Sequence, residues 1–123
     1  MIRPKQFFAS FQHACRGIKV VFLEEQSFRV QVFAGLVVII FASLFQFSRF
    51  EWVLVLLLIG SVLVLEVINS LFERIVDAFK PRVHPMVKDM KDMMAAAVLI
   101  VSCIAAAVGC FLFWPHVSQL LGL

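Results

Sequence analysis

Charge, cysteine and glycine are all scarce in this chain, and each scarcity closes off a class of protein. Only 15% of its 123 residues are charged and 63% are hydrophobic, whereas a soluble domain is about half apolar. That leaves too little polar sequence to cover long apolar helices, which argues against a soluble protein with a buried helical core. Cys15, Cys103 and Cys110 are the only cysteines. They suggest no disulfide framework, since the last two lie two turns apart on one helix, too far to bridge. No CxxC or CxxH spacing points to zinc. None of the five glycines opens a GxxxxGK[ST] loop or a kinase-type glycine loop, so the two commonest phosphate cradles are missing. No cleavable signal peptide is expected, because the first apolar run follows a polar and mixed segment rather than a short basic one.

What is present is a set of apolar runs. Residues 30–48, 52–72 and 93–114 are each long enough to cross a bilayer, which takes about 20 residues as a helix. All of the eleven Lys and Arg residues except Arg49 precede the first run or lie between the second and third. Basic residues stay on the cytoplasmic side, which sets the N-terminus inside and the C-terminus outside. Residues 4–24 place Phe7, Phe8, Phe11, Ala14, Ile18 and Val21 at spacings of three and four, opposite a basic face. The pattern predicts an amphipathic helix lying in the membrane interface; a cytosolic helix packed on a loop is the alternative. Ser48, Arg49 and Glu51 predict a tight outer turn, with Trp52 at the interface. Residues 78–92, with Pro81 and Pro85, read as a polar connection, and Trp114 and Pro115 as the close of the third span. Small residues such as Ala105 and Gly109 in that span allow close helix packing. The fold expected is an all-α membrane protein: one domain over 1–123, with an interfacial helix and three transmembrane helices.

The second run ends in EVINSLFERIVD, residues 66–77. Glu66, Asn69, Glu73 and Asp77 recur at helical spacing and share about 80° of arc, beside Ser70. An ionisable group within a span costs about 2.5 to 3.5 kcal/mol, so such a stripe marks a functional site ahead of a set of snorkelling residues. Lys88, Asp89, Lys91 and Asp92 introduce the third span on the same side, which by itself would be an orienting flank. With the stripe beside it, the same cytoplasmic layer holds Glu25, Glu66, Glu73, Asp77, Lys91 and Asp92. Such a layer can hold Mg²⁺ with a polyphosphate, and a deeper carboxylate can take a proton from an alcohol. These are the parts of phosphoryl transfer to a lipid alcohol.

Three stretches, SFxxAxxGIK…EExxFR over residues 10–29, ExxNSxxExxVD over 66–77 and KDMxxAAVL from Lys91, together resemble the small bacterial diacylglycerol kinase family in order and spacing. The resemblance implies that Glu66 is the catalytic base and that Asn69 supports the site. It implies that Glu25 and Glu73 bind the metal carrying ATP, that Lys91 and Asp92 contact the nucleotide, and that Asp77 lies near the adenosine. Gln6, His13 and His84 align with nucleotide-contacting positions. Further implications are Mg²⁺ as cofactor and ATP as phosphoryl donor, and a homotrimer with shared active sites in the bacterial cytoplasmic (inner) membrane. A membrane lipid is the implied substrate, with no nucleic-acid partner. The family phosphorylates diacylglycerol or undecaprenol, and the HPxxKxxKD form of residues 84–92 leans to undecaprenol. A different class of reading is a non-catalytic ion or proton relay that uses the carboxylate stripe.

Overall fold

In the computed structural model, which describes residues 1–78 and 85–123, every element is a helix. They are α1 (Pro4–Glu24), α2 (Gln26–Leu44), α3 (Arg49–Ala78) and α4 (Pro85–Leu120). Helices α2, α3 and α4 are long and apolar enough to cross a membrane. At 1.5 Å per residue their 19, 30 and 36 residues extend about 28, 45 and 54 Å. The last two therefore outrun the roughly 30 Å hydrocarbon layer. The polar stripe of residues 66–77 is thus the unbroken continuation of α3, not a loop appended to it.

Each junction has an identifiable cause. Pro4 opens α1 in the first turn, where a missing N–H costs nothing. Glu25 alone separates α1 from α2, in an extended conformation with φ −110° and ψ 111°. The guanidinium of Arg29 donates at 2.8 Å to the carbonyl oxygens of Phe22 and Leu23, which satisfies carbonyls left over at the end of α1. After α2, Gln46 takes φ 54° and Phe47 N–H donates to the Ala42 carbonyl at 3.0 Å, a left-handed helix stop. Ser48 and Glu51 then bond reciprocally. The Ser48 N–H donates to Glu51 Oε1 at 3.1 Å and the Glu51 N–H to Ser48 Oγ at 3.2 Å. This capping box launches α3 and is the physical content of the expected outer turn.

Two boundaries differ from the expectation. Residues 85–92 belong to α4 rather than to a polar connection, because Pro85 is its first residue, the position where proline is tolerated; Pro81 lies outside the described residues. Likewise α4 does not stop at Pro115. The helix runs through it to Leu120, with the Ser118 hydroxyl donating to the Pro115 carbonyl at 2.9 Å.

Helix α3 packs against α2 on one side and α4 on the other, while α1 contacts α2. The tightest packing is at the 45–52 end, where Ala42, Phe47 and Val55 are buried with Ile59, Leu112 and Phe113 around them. Gly35 sets the approach of α2 to α3, since a Cβ there would stand 3.1 Å from Ile59 Cγ2. At the same end as the buried cluster, His116 Nε2 lies 2.8 Å from Glu51 Oε2, with the Phe47 ring stacked on the imidazole at 4.9 Å. The remaining helix surface is largely apolar and exposed, as hydrocarbon-facing surface must be.

Candidate active site

The stripe on α3 is a graded column. Glu66 is 4% exposed and Ser70 2%; Asn69 and Glu73 are half-buried and Asp77 is exposed. The column therefore runs from the protein interior outward in four helical turns or fewer. Glu66 is oriented by α2: the Ser27 hydroxyl donates to its Oε2 at 3.2 Å. One turn on, Asn69 Nδ2 points to Glu73 Oε1 at 3.5 Å, a long and weak hydrogen bond. At the outer end Lys91 Nζ, on α4, stands 4.0 Å from Asp77 Oδ1. Asp92 follows it, exposed.

Glu25 is half-buried at the α1–α2 corner. Its neighbour Glu24 is paired with Arg74, one residue past Glu73 on α3. That ion pair ties the corner to the same stretch of α3 that carries the column. Beside it, His13, Arg16, Ser70 and Arg74 line a cleft of about 530 Å³ between α1 and α3. His13 is thereby brought to α3. Gln6 is exposed near the start of α1, roughly 28 Å along the helix from Glu25, and does not line this cleft. His84 lies outside the described residues.

Among the described residues no group of three or more His, Cys, Asp or Glu side chains is arranged to hold a metal ion. Glu25 at the α1–α2 corner and Glu73 on α3 carry hard oxygen donors, of the kind Mg²⁺ takes when phosphate oxygens complete its shell.

Several participants escaped the sequence reading. Ser27 is 39 residues from Glu66, and nothing in its local pattern connects the two. The Glu24–Arg74 pair spans 50 residues and depends in the same way on how α1 lies against α3. Ser70 was visible beside the stripe by periodicity alone, but its near-complete burial was not.

A second cleft, of about 240 Å³, opens between α2, α3 and α4 and is lined by Gln31, Val62, Ser102, Gly109 and Phe113 among others. Gln31 lies one turn beyond Ser27 and Val62 one turn from Glu66, so this apolar cleft begins beside the buried carboxylate.

Comparison with known proteins bears directly on this arrangement. Residues 12–113 match the family model described as prokaryotic diacylglycerol kinase. The chain is 36% identical over 110 residues to the undecaprenol kinase of Bacillus subtilis (strain 168), covering 89% of each protein. It is 29% identical over 104 residues to the diacylglycerol kinase of Escherichia coli (strain K12), covering 85% of each. Against the diacylglycerol kinase of Helicobacter pylori (strain ATCC 700392 / 26695) the identity is 36% over 96 residues, 78% of this chain and 75% of that protein. A buried carboxylate heading a polar column on an apolar helix, and a match across most of the chain, lead to one conclusion: this protein belongs to the prokaryotic diacylglycerol kinase family of lipid kinases.

Proposed function

We propose that the protein is an ATP- and Mg²⁺-dependent kinase that phosphorylates the hydroxyl of a membrane lipid, with Glu66 as general base. The observation that carries this reading is the buried, Ser27-oriented carboxylate of Glu66, one helical turn from Val62 in the wall of an apolar cleft and at the head of the column leading to Lys91. The acceptor's hydroxyl approaches Glu66 from the cleft, where its hydrocarbon chain is sheltered. Glu66 accepts the hydroxyl proton as the oxygen attacks the γ-phosphorus. A new oxygen–phosphorus bond forms, the bond to the bridging oxygen breaks, and ADP leaves with that electron pair. Glu25 and Glu73 hold the metal, and Lys91 and Asp92 the nucleotide, with Asp77 and His13 on its outer side. Mg²⁺, when bound, neutralises charge on the phosphate oxygens. Asn69 keeps the Glu73 carboxylate in place through its amide.

The favoured acceptor is undecaprenol, on the HPxxKxxKD form of residues 84–92 and the 36% identity, over 89% of each chain, to an undecaprenol kinase. The chain works as a homotrimer in the bacterial inner membrane, with its basic layer in the cytoplasm and α1 on the bilayer surface. Exposed Phe7, Phe8 and Phe11 on α1 support the interfacial placement. Three helices cannot by themselves wall off a metal, a nucleotide and a lipid headgroup, which supports association between copies. The test is phosphate transfer from Mg-ATP to diacylglycerol and to undecaprenol in mixed micelles. Preferred transfer to undecaprenol is expected; strong preference for diacylglycerol overturns the acceptor assignment, and no transfer to either overturns the kinase.

A further inference from the structure

The helical register places a second polar group level with Glu66. Helices α3 and α4 are antiparallel neighbours pinned at both ends, by Lys91 opposite Asp77 and by His116 opposite Glu51. Counting eleven residues up α4 from Lys91 gives Ser102, and eleven back along α3 from Asp77 gives Glu66. Counting from the other pin, fourteen residues from His116 again reach Ser102, while fourteen from Glu51 reach Leu65, beside Glu66. Ser102 is therefore the α4 residue at the depth of the buried carboxylate, and it lines the apolar cleft that begins there.

Its chemistry is unfinished. The Ser102 Oγ atom is buried and has no hydrogen-bond partner, alone in this among the described residues. Other serines on these helices solve the same problem locally: the Ser61 hydroxyl donates to the Leu57 carbonyl at 2.7 Å, and that of Ser118 to the Pro115 carbonyl. A hydroxyl buried without a partner is costly, and alanine would fit a helix at least as well. The cleft it lines is otherwise walled mainly by aliphatic side chains and glycine. A ligand that enters this cleft with a polar terminus supplies the missing partner at the depth where Glu66 stands.

We propose that Ser102 is an acceptor-binding residue whose hydroxyl hydrogen-bonds the oxygen of the lipid alcohol while that alcohol donates its own proton towards Glu66. The inference rests on the kinase reading above. A lipid hydroxyl has one proton and two lone pairs. Glu66 takes the proton, Ser102 donates to one lone pair, and the other remains free to attack phosphorus. Two contacts from facing helices fix the direction of that lone pair, where one contact leaves it free to rotate.

The test is steady-state kinetics of the wild type, Ser102→Ala and Ser102→Thr in mixed micelles, varying acceptor mole fraction and ATP separately, together with thermal midpoints with and without acceptor. Ser102→Ala should raise the acceptor KM about 3- to 10-fold, the worth of one hydrogen bond, and leave the ATP KM within twofold. Its midpoint without acceptor should equal or exceed that of the wild type, because an unsatisfied polar atom has been removed. The gain in midpoint on adding acceptor should shrink, and Ser102→Thr should restore both the KM and that gain. An unchanged acceptor KM in Ser102→Ala overturns the inference. So does a lowered midpoint or altered oligomeric state with equal losses for acceptor and ATP, which marks a packing role. A wild type that transfers no phosphate sinks the kinase reading and this inference together, whereas an active wild type beside an unaffected Ser102→Ala sinks this inference alone.

Discussion

Replacing Glu66 by Gln removes one charge and one proton acceptor while keeping the shape of the side chain. The Ser27 hydroxyl can donate to the glutamine carbonyl as it does to the carboxylate, so α2 and α3 keep their contact. No substitute base lies nearby on the same column. Glu73 is seven residues on and Asp77 eleven, about 10 and 16 Å along the axis, beyond hydrogen-bond reach of a hydroxyl held at Glu66. The whole general-base contribution should therefore be lost, a factor of about 10² to 10⁴ in turnover, or roughly 3 to 5 kcal/mol of barrier. ATP binding, proposed to rest on groups farther out, should change little. Single-turnover transfer of labelled γ-phosphate to the preferred lipid separates the two, with nucleotide affinity measured independently by equilibrium binding. A Glu66→Gln protein that retains a third or more of wild-type turnover refutes the assignment. One that gains or loses ion flux across vesicles, with no dependence on ATP, points to the relay instead. Ser27→Ala offers a graded companion: losing one bond to a charged group should slow turnover about tenfold, short of the loss at Glu66 itself.

Other expectations are as direct. Glu25→Ala and Glu73→Ala should each raise the Mg²⁺ concentration needed for half-maximal rate by about tenfold or more if the two carboxylates hold the metal as proposed; Mg²⁺ titration of the initial rate reads this, and normal curves for both variants exclude the metal assignment. Lys91→Ala should raise the ATP KM several-fold and leave the acceptor KM alone; equal ATP kinetics would return Lys91 to the role of an orienting charge. Gly35→Val should destabilise the fold by about 1 to 3 kcal/mol through overpacking, because even a Cβ would meet Ile59 at 3.1 Å. Thermal unfolding in detergent measures this, and Ile59→Ala in the same chain should recover part of the loss.

Much of the site could be read from the chain because it lies on one helix. Glu66, Asn69, Glu73 and Asp77 follow a single period, and periodicity is a property of sequence. The partners that orient them come from other helices. Ser27 meets Glu66 across the α2–α3 packing, and Arg74 meets Glu24 across the α1–α3 packing; both contacts require a helix register that local residues do not encode. The prolines show the same limit. Pro81 and Pro85 signal that a helix is interrupted somewhere, but not that Pro85 itself begins the next one. Pro115 sits where the apolar run ends, yet hydrogen bonding beyond it carries α4 to Leu120. The burial of Ser70 and the lone Ser102 hydroxyl are outcomes of three-dimensional packing, and no spacing rule announces them.

The corner between α1 and α2 consists of Glu25 and nothing else. A peptide chain turns only through φ and ψ, so the torsions of this one residue set the angle between α1 and α2. Those torsions also steer the Cα–Cβ bond of the residue that owns them. Any tilt of α1 relative to α2 must be taken up there or in the neighbouring helix ends. A swing of α1 taken up at this corner redirects the Cα–Cβ bond of Glu25 with it.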